Sequence, residues 1–159
     1  MARPYVELVT EVLPIQRRNF YVSSTSLLNP NNANPILEGE WLELDSTYKL
    51  VRGSSTQAKP AWQVFDEKGR YDTQAIGKLT VLFIGGYEAK TRVCDASGCS
   101  VGDALVIADV TVGGLTKRGL DKISAVAGEY AVFAYVTKVI SSSELQYWVP
   151  GTPTWKTVA

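Results

Sequence analysis

Apolar and polar residues alternate with a period of two along most of this chain, the pattern of half-buried β-strands. "YEAKTRV" puts Tyr87, Ala89, Thr91 and Val93 on one face and Glu88, Lys90 and Arg92 on the other. "SSSELQYWVPG" does the same with Leu145, Tyr147 and Val149. "GEWLELD" sets Glu40, Leu42 and Leu44 against Trp41, Glu43 and Asp45. "GKLTVLFIGG" is apolar on both faces and predicts a central, covered strand. "TYKLVRG", "AWQVFDEKGRYD", "DALVIADVTV" and "GEYAVFAYVTKVI" complete the series, with turns predicted at Glu67–Arg70 and Gly113–Gly114. The last of these segments is rich in β-branched and aromatic residues and lacks a helix cap. Helix is expected at most as one turn near "TKRGLDKISA". The pattern predicts an all-β fold: a single compact β-sandwich or barrel-like domain of short antiparallel strands over residues 39–159.

The stretch before Gly39 has a different texture. It holds four of the seven prolines and no glycine. "NPNNANP" excludes helix, because each residue before a proline is pushed towards extended geometry. "YVELVTEVLPI" and "RRNFYVSSTSLLN" each read as a strand. Residues 1–38 are therefore expected to form an extended N-terminal arm. Such an arm either crosses to a neighbouring subunit or packs as extra strands on its own domain. Its apolar residues Tyr5, Val6, Leu8, Val12, Leu13, Ile15, Phe20 and Tyr21 are the candidate interface residues.

Composition narrows the classes. A chain of 159 residues, 45% hydrophobic and 20% charged, is expected to be one globular domain. Sixteen basic and sixteen acidic residues cancel. That balance argues against general nucleic-acid binding, whose affinity rests on a basic excess. No apolar run approaches the ~20 residues of a membrane helix, and the N-terminus lacks the apolar core of a signal peptide. The chain is expected to be made in a cytoplasm, where thiols stay reduced.

The chemistry-bearing residues are few. The chain has no histidine, which removes Ser-His-Asp and Cys-His nucleophile systems. Two cysteines, Cys94 and Cys99, do not make a four-ligand zinc site, and their four-residue spacing is not that of a redox C-x-x-C motif. Phosphate-binding glycine loops are missing, and "GGLTKRG" reads as a solvated turn. A hydrolase would need two of Asp103, Asp109, Asp121 and Glu129 to converge, whereas acids in turns ordinarily face solvent. Asp66, Glu67, Asp72 and Asp95 lack the spacing of a calcium loop. No catalytic, cofactor-binding or metal-ligating residue is expected. Trp41, Trp62, Trp148 and Trp155 are expected in cores or oligomer interfaces, with a carbohydrate or nucleic-acid stacking platform as the competing reading.

Taken as a block, "GKLTVLFIGGYEAKTRVCDASGCSVGDALVIADV", "GLTKRG" and "GEYAVFAYVTKVISSSELQYWV" resemble the head-decoration, or capsid cement, proteins of tailed bacteriophages. The matching features are the "TVLFIGGYEAKT" strand pair and the "VGDAL" turn into a strand. A late "AVFAYVTKV" strand after Gly128 and a closing "LQYWV" strand complete them. The resemblance spans Lys78 to Val149 and leaves Met1–Tyr71 unmatched. It implies a non-enzymatic virion protein, made in the host bacterial cytoplasm and located on the outer surface of the capsid. Its implied partners are the phage major capsid protein and other copies of itself, as a dimer or trimer. The alternative is a carbohydrate-binding or tail-fibre-type adhesion domain using exposed Trp and Tyr. Cys94 and Cys99 are then read as the two ends of a loop joining the "YEAKTRV" and "DALVIADV" strands. Facing each other across a hairpin, their Cα atoms would lie ~4.5–5.5 Å apart, within disulfide range.

Overall fold

The computed structural model describes residues 5–11, 15–53, 61–65, 77–84, 86–151 and 153–159. The described residues form thirteen strands and one 3₁₀ turn, Thr25–Leu28. The strands are β1 (Val6–Glu11), β2 (Gln16–Tyr21), β3 (Trp41–Leu44), β4 (Leu50–Val51), β5 (Ala61–Val64), β6 (Lys78–Ile84) and β7 (Tyr87–Thr91). They continue with β8 (Ala104–Val112), β9 (Leu115–Lys122), β10 (Gly128–Val132), β11 (Ala134–Ser141), β12 (Glu144–Val149) and β13 (Thr154–Val158). The chain is all-β, as the alternation predicts. The turn expected at Glu67–Arg70 lies outside the described residues.

Three antiparallel sheets result. A six-stranded sheet runs β1-β7-β12-β11-β8-β9, a five-stranded sheet runs β2-β6-β5-β3-β4, and β10 pairs with β13 alone. The two large sheets join at a corner. Two residues of sequence separate β6 from β7; on the β7 side Glu11 lies opposite Tyr87, and on the β6 side Gln16 lies opposite Ile84. The five-stranded sheet also curls back on itself, because Val22, just past β2, bridges Leu50 of β4.

Two cores follow from this shape. The larger lies against the six-stranded sheet and includes Trp41, Leu82, Tyr87, Leu105, Leu120 and Tyr147. The smaller fills the curl, where Leu28 of the 3₁₀ turn and Ile36 of the loop after it meet Leu42, Leu50, Val64 and Val81. The five-stranded sheet thus has an apolar layer on each face. That explains why β6 is apolar on both faces and why Trp41 and Leu42 are buried on opposite sides of β3. On β7 the pattern is simpler: Tyr87, Ala89 and Thr91 are buried, and Glu88 and Lys90 are not.

Two sequence expectations change. The segment near "TKRGLDKISA" is not a helical turn; Leu115–Lys122 is strand β9. Gly113 and Gly114 sit at φ 58° and 78°, the left-handed pair that a two-residue type I′ hairpin requires. That turn fixes β9 on β8 from Val112↔Leu115 to Leu105↔Lys122. "GEYAVFAYVTKVI" is also not one strand. It divides at Phe133 into β10, which pairs with β13, and β11, which pairs with β8 and β12.

The segment expected as an arm is built into both large sheets. β1 pairs with β7 and β2 with β6, while Val6, Val22, Leu28 and Ile36 are buried in the two cores. Of the two arrangements open to an extended arm, the described residues adopt strand pairing on their own domain.

Candidate functional site

Opposite the β6–β7 corner, the two large sheets meet along a seam of buried charge. Glu40, Glu43, Lys117 and Arg118 are all buried there. Glu40 is the hub. Its Oε1 accepts from Arg52 Nε at 2.9 Å and from the Arg118 backbone N–H at 3.1 Å. Its Oε2 accepts from Arg52 Nη2 at 2.9 Å and from the Leu37 N–H at 2.6 Å. Arg52 also donates to the carbonyls of Asn34 and Pro35, each at 2.8 Å, and Lys117 Nζ donates to the Pro35 carbonyl. Arg118 reaches Asp109 at 3.0 Å and lies 3.9 Å from Glu43. Opposite charges with several hydrogen bonds each are the condition under which buried ions are tolerated. The seam closes the fold and has no exposed acid–base pair at its centre.

A second buried polar group lies in the main core. Gln63 Oε1 accepts from Tyr87 Oη at 2.9 Å and Tyr147 Oη at 2.6 Å, and Gln63 Nε2 donates to the Gly39 carbonyl at 3.2 Å. Burial raises the pKa of both phenols, so both stay protonated donors.

The surface arrangement with binding character is on the outer face of the six-stranded sheet. Glu88, Trp148 and Tyr135 stand directly opposite one another across β7, β12 and β11. The Trp148 and Tyr135 rings lie 6.4 Å apart, tilted by 33°, and Trp148 is 39% exposed. Glu88 Oε1 accepts from Gln146 Nε2 at 2.6 Å and from Thr137 Oγ1 at 2.9 Å. Tyr135 Oη lies 3.4 Å from Thr154 Oγ1 at the start of β13, which also carries Trp155, 60% exposed. The result is an aromatic platform on rigid strands, bordered by an amide, a hydroxyl and a carboxylate already oriented by hydrogen bonds. Trp148 falls between the buried Tyr147 and Val149 and is 39% exposed, so it does not sit in the core. Its cross-strand neighbours Glu88 and Tyr135 come from distant segments and gave no signal of their own.

The other residues singled out in the sequence are dispersed. Val6 is buried, and Leu8 and Ile15 pack against the main core. Phe20 packs on the smaller core and stacks on Trp62 at 5.8 Å. Tyr5 lies under Arg92, and Tyr21, 54% exposed, carries Lys78 at 4.5 Å over its ring. Val12 and Leu13 lie outside the described residues, as do Asp66, Glu67 and Asp72. Trp41 is a core residue. Asp103 pairs with Lys122 at 2.8 Å, and that hydrogen bond lowers its pKa. Asp109 pairs with Arg118, and Asp95 caps Ser97. Among the described residues no three His, Cys, Asp or Glu side chains are grouped to hold a metal ion.

The cysteines do not face each other across a hairpin. β7 pairs with β1 and β12, and β8 with β9 and β11, so the segment between them crosses rather than turns back. Cys94 is buried and bridges Leu120 of β9, and both thiols are free. Burial pushes the Cys94 thiol up to about 12, which removes the thiolate that redox or nucleophilic chemistry needs.

No protein-family model, curated protein or solved structure matches this chain.

Proposed function

We propose that this chain is a structural virion protein that decorates a tailed-phage capsid and stabilises it from outside, by binding between major-capsid subunits and to copies of itself. The observation that carries the reading is the Trp148–Tyr135 platform, with Trp148 exposed on the outer face. Tryptophan and tyrosine held on rigid strands are the residue types that anchor protein interfaces. The resemblance of the Lys78–Val149 segment to head-decoration proteins supports the same reading, and that segment supplies β6 through β12. Binding to an assembled lattice and not to free subunits stabilises the lattice by mass action. Many identical sites raise the effective affinity of an oligomer well above that of one copy.

The test is capsid survival. Mature particles made with and without this chain are heated, and release of packaged DNA is followed by a dye. Decoration predicts earlier release without the chain, restored by adding it back, and not restored by Trp148→Ala. Equal release temperatures would reject the proposal.

A second reading is favoured by the polar border of the same platform. Glu88, Gln146 and Thr137 beside Trp148 would suit a sugar face with its ring hydroxyls, as in an adhesion domain. Glycan-array binding lost in both Trp148→Ala and Glu88→Ala would select this reading over the first.

A further inference from the structure

Four aromatic rings at the surface of this chain are covered by its own cations. Arg17 lies 5.6 Å over Phe65, Arg18 5.0 Å over Phe20, Lys78 4.5 Å over Tyr21 and Arg92 4.6 Å over Tyr5. Cations are drawn to the negative face of a ring, and these contacts use that attraction within the chain. The Trp148–Tyr135 pair differs. Among the described residues no cation lies over either ring, although Trp148 is open to solvent.

The carboxylate beside that pair is fixed in place but not balanced in charge. Glu88 stands opposite Trp148 and reaches across β12 to Thr137 on β11. Its Oε1 accepts from Gln146 Nε2 at 2.6 Å and from Thr137 Oγ1 at 2.9 Å. Both donors are neutral, and they occupy the two acceptor positions of that oxygen. Among the described residues Oε2 accepts no hydrogen bond and Glu88 has no ion-pair partner. The nearest cations along the sheet are one row away. Lys90 and Lys138 flank Gln146, and Glu7 stands on the other side of Lys90.

We propose that Glu88, Trp148 and Tyr135 form a binding site for an arginine side chain presented by a partner protein, its guanidinium lying on the aromatic pair and donating to Glu88 Oε2. Charge selects this occupant. A protein that covers the platform takes water away from Glu88, and a carboxylate removed from water without a cation is costly. A neutral ligand such as a sugar fills acceptor positions and leaves the charge. A guanidinium answers both needs. It is planar, stacks on aromatic faces and carries its donors in a fixed fork that suits a carboxylate. The lysine ammonium is more strongly hydrated and has no flat face, so it fits less well. Gln146 and Thr137 are positioning residues, because they hold the carboxylate beside the rings. The site rests on the first reading above, in which the platform binds protein, but its test uses no capsid. Arginine binding without capsid stabilisation would reject that reading alone, and capsid stabilisation without arginine binding would reject this site alone.

The test is a nuclear magnetic resonance titration of the full, ¹⁵N-labelled chain. The Trp148 indole N–H signal is identified as the one lost in Trp148→Ala. N-acetyl-arginine methylamide is expected to move it saturably, with a midpoint of about 50 mM or lower. N-acetyl-lysine methylamide should bind at least about threefold more weakly, and methyl glucoside should leave the signal in place. Glu88→Gln keeps the shape of the site and should raise the arginine midpoint about fivefold or more, with an unchanged urea midpoint to show that the fold is intact. If that variant does not fold, the salt dependence of wild-type binding decides, because a charge pair weakens as salt rises. An indole signal that stays still to about 200 mM arginine compound would overturn the proposal. So would equal binding by the lysine compound or by Glu88→Gln, arginine binding indifferent to salt, or a response to the glucoside in place of arginine.

Discussion

Replacing Glu40 with glutamine tests whether the buried charge seam holds the two sheets together. The change keeps shape and volume but removes the charge that faces Arg52. It also turns one acceptor oxygen into a donor. Each Glu40 oxygen accepts two hydrogen bonds, so one pair of donors, either Arg52 Nε and the Arg118 N–H or Arg52 Nη2 and the Leu37 N–H, would then face an N–H₂ group. Removing one partner of a buried ion pair costs roughly 3–5 kcal/mol. Arg52 retains 18% side-chain exposure and its bonds to the Asn34 and Pro35 carbonyls, so water relieves part of that cost. We expect a loss of about 3 kcal/mol, a large share of a domain stability of roughly 5–15 kcal/mol. It should appear as a lower urea midpoint at unchanged slope, and as a melting temperature lower by roughly 6–12 °C. Arg52→Gln should couple to it, so that the double variant loses clearly less than the sum of the two. A loss under about 1 kcal/mol, or strict additivity, would refute the reasoning, because either would place the seam among ordinary surface ion pairs.

Deleting residues 1–37 should leave an insoluble or unfolded chain, measured by expression and circular dichroism, because it removes β1, β2 and the buried Val6, Val22, Leu28 and Ile36. Those four side chains alone contribute roughly 1.5–3 kcal/mol each, and a folded truncated domain would contradict the core assignment. Stability should also fall in alkali. The folded Cys94 thiol is pushed up to about 12 and the Tyr87 and Tyr147 phenols are raised as well, all chiefly by burial. Their stabilising share is complete below the unfolded thiol value of ~8.5 and is lost as pH rises towards the folded values, so the urea midpoint should drop above pH ~9. Cys94→Ala should remove the first part of that drop, and a midpoint flat to pH ~11 would count against these burials. Gly119→Ala should cost about 2–4 kcal/mol in the same assay, since the added methyl would lie 2.3 Å from the Val93 carbonyl oxygen and 2.5 Å from Val110 Cγ2. A neutral substitution would show that β9 and the Val93 segment are not so closely packed.

What was legible in the sequence was whatever depends on near neighbours. Leu145, Tyr147 and Val149 are buried as their alternation requires, and Gly113–Gly114 makes the turn it advertises. What was not legible depends on residues far apart. Arg118 and Glu40 are 78 positions apart, so "TKR" read as a solvated turn, although Lys117 and Arg118 are buried on β9. β3 alternates in sequence, yet Trp41, Leu42 and Glu43 are all buried, because the five-stranded sheet is covered on both sides. Cys94 looked like a loop residue because nothing local reveals its bridge to Leu120. The platform was not legible, because Trp148 read like the other tryptophans as a core or interface residue, and Glu88 and Tyr135 reach it only through sheet order.

The capsid reading is tested most directly by an image of mature tailed-phage particles reconstructed with this chain present and with it absent. Decoration predicts density of this size on the outer shell, repeated where major-capsid subunits meet, lost on removal and lost in Trp148→Ala. Identical outer surfaces in the two reconstructions would contradict it.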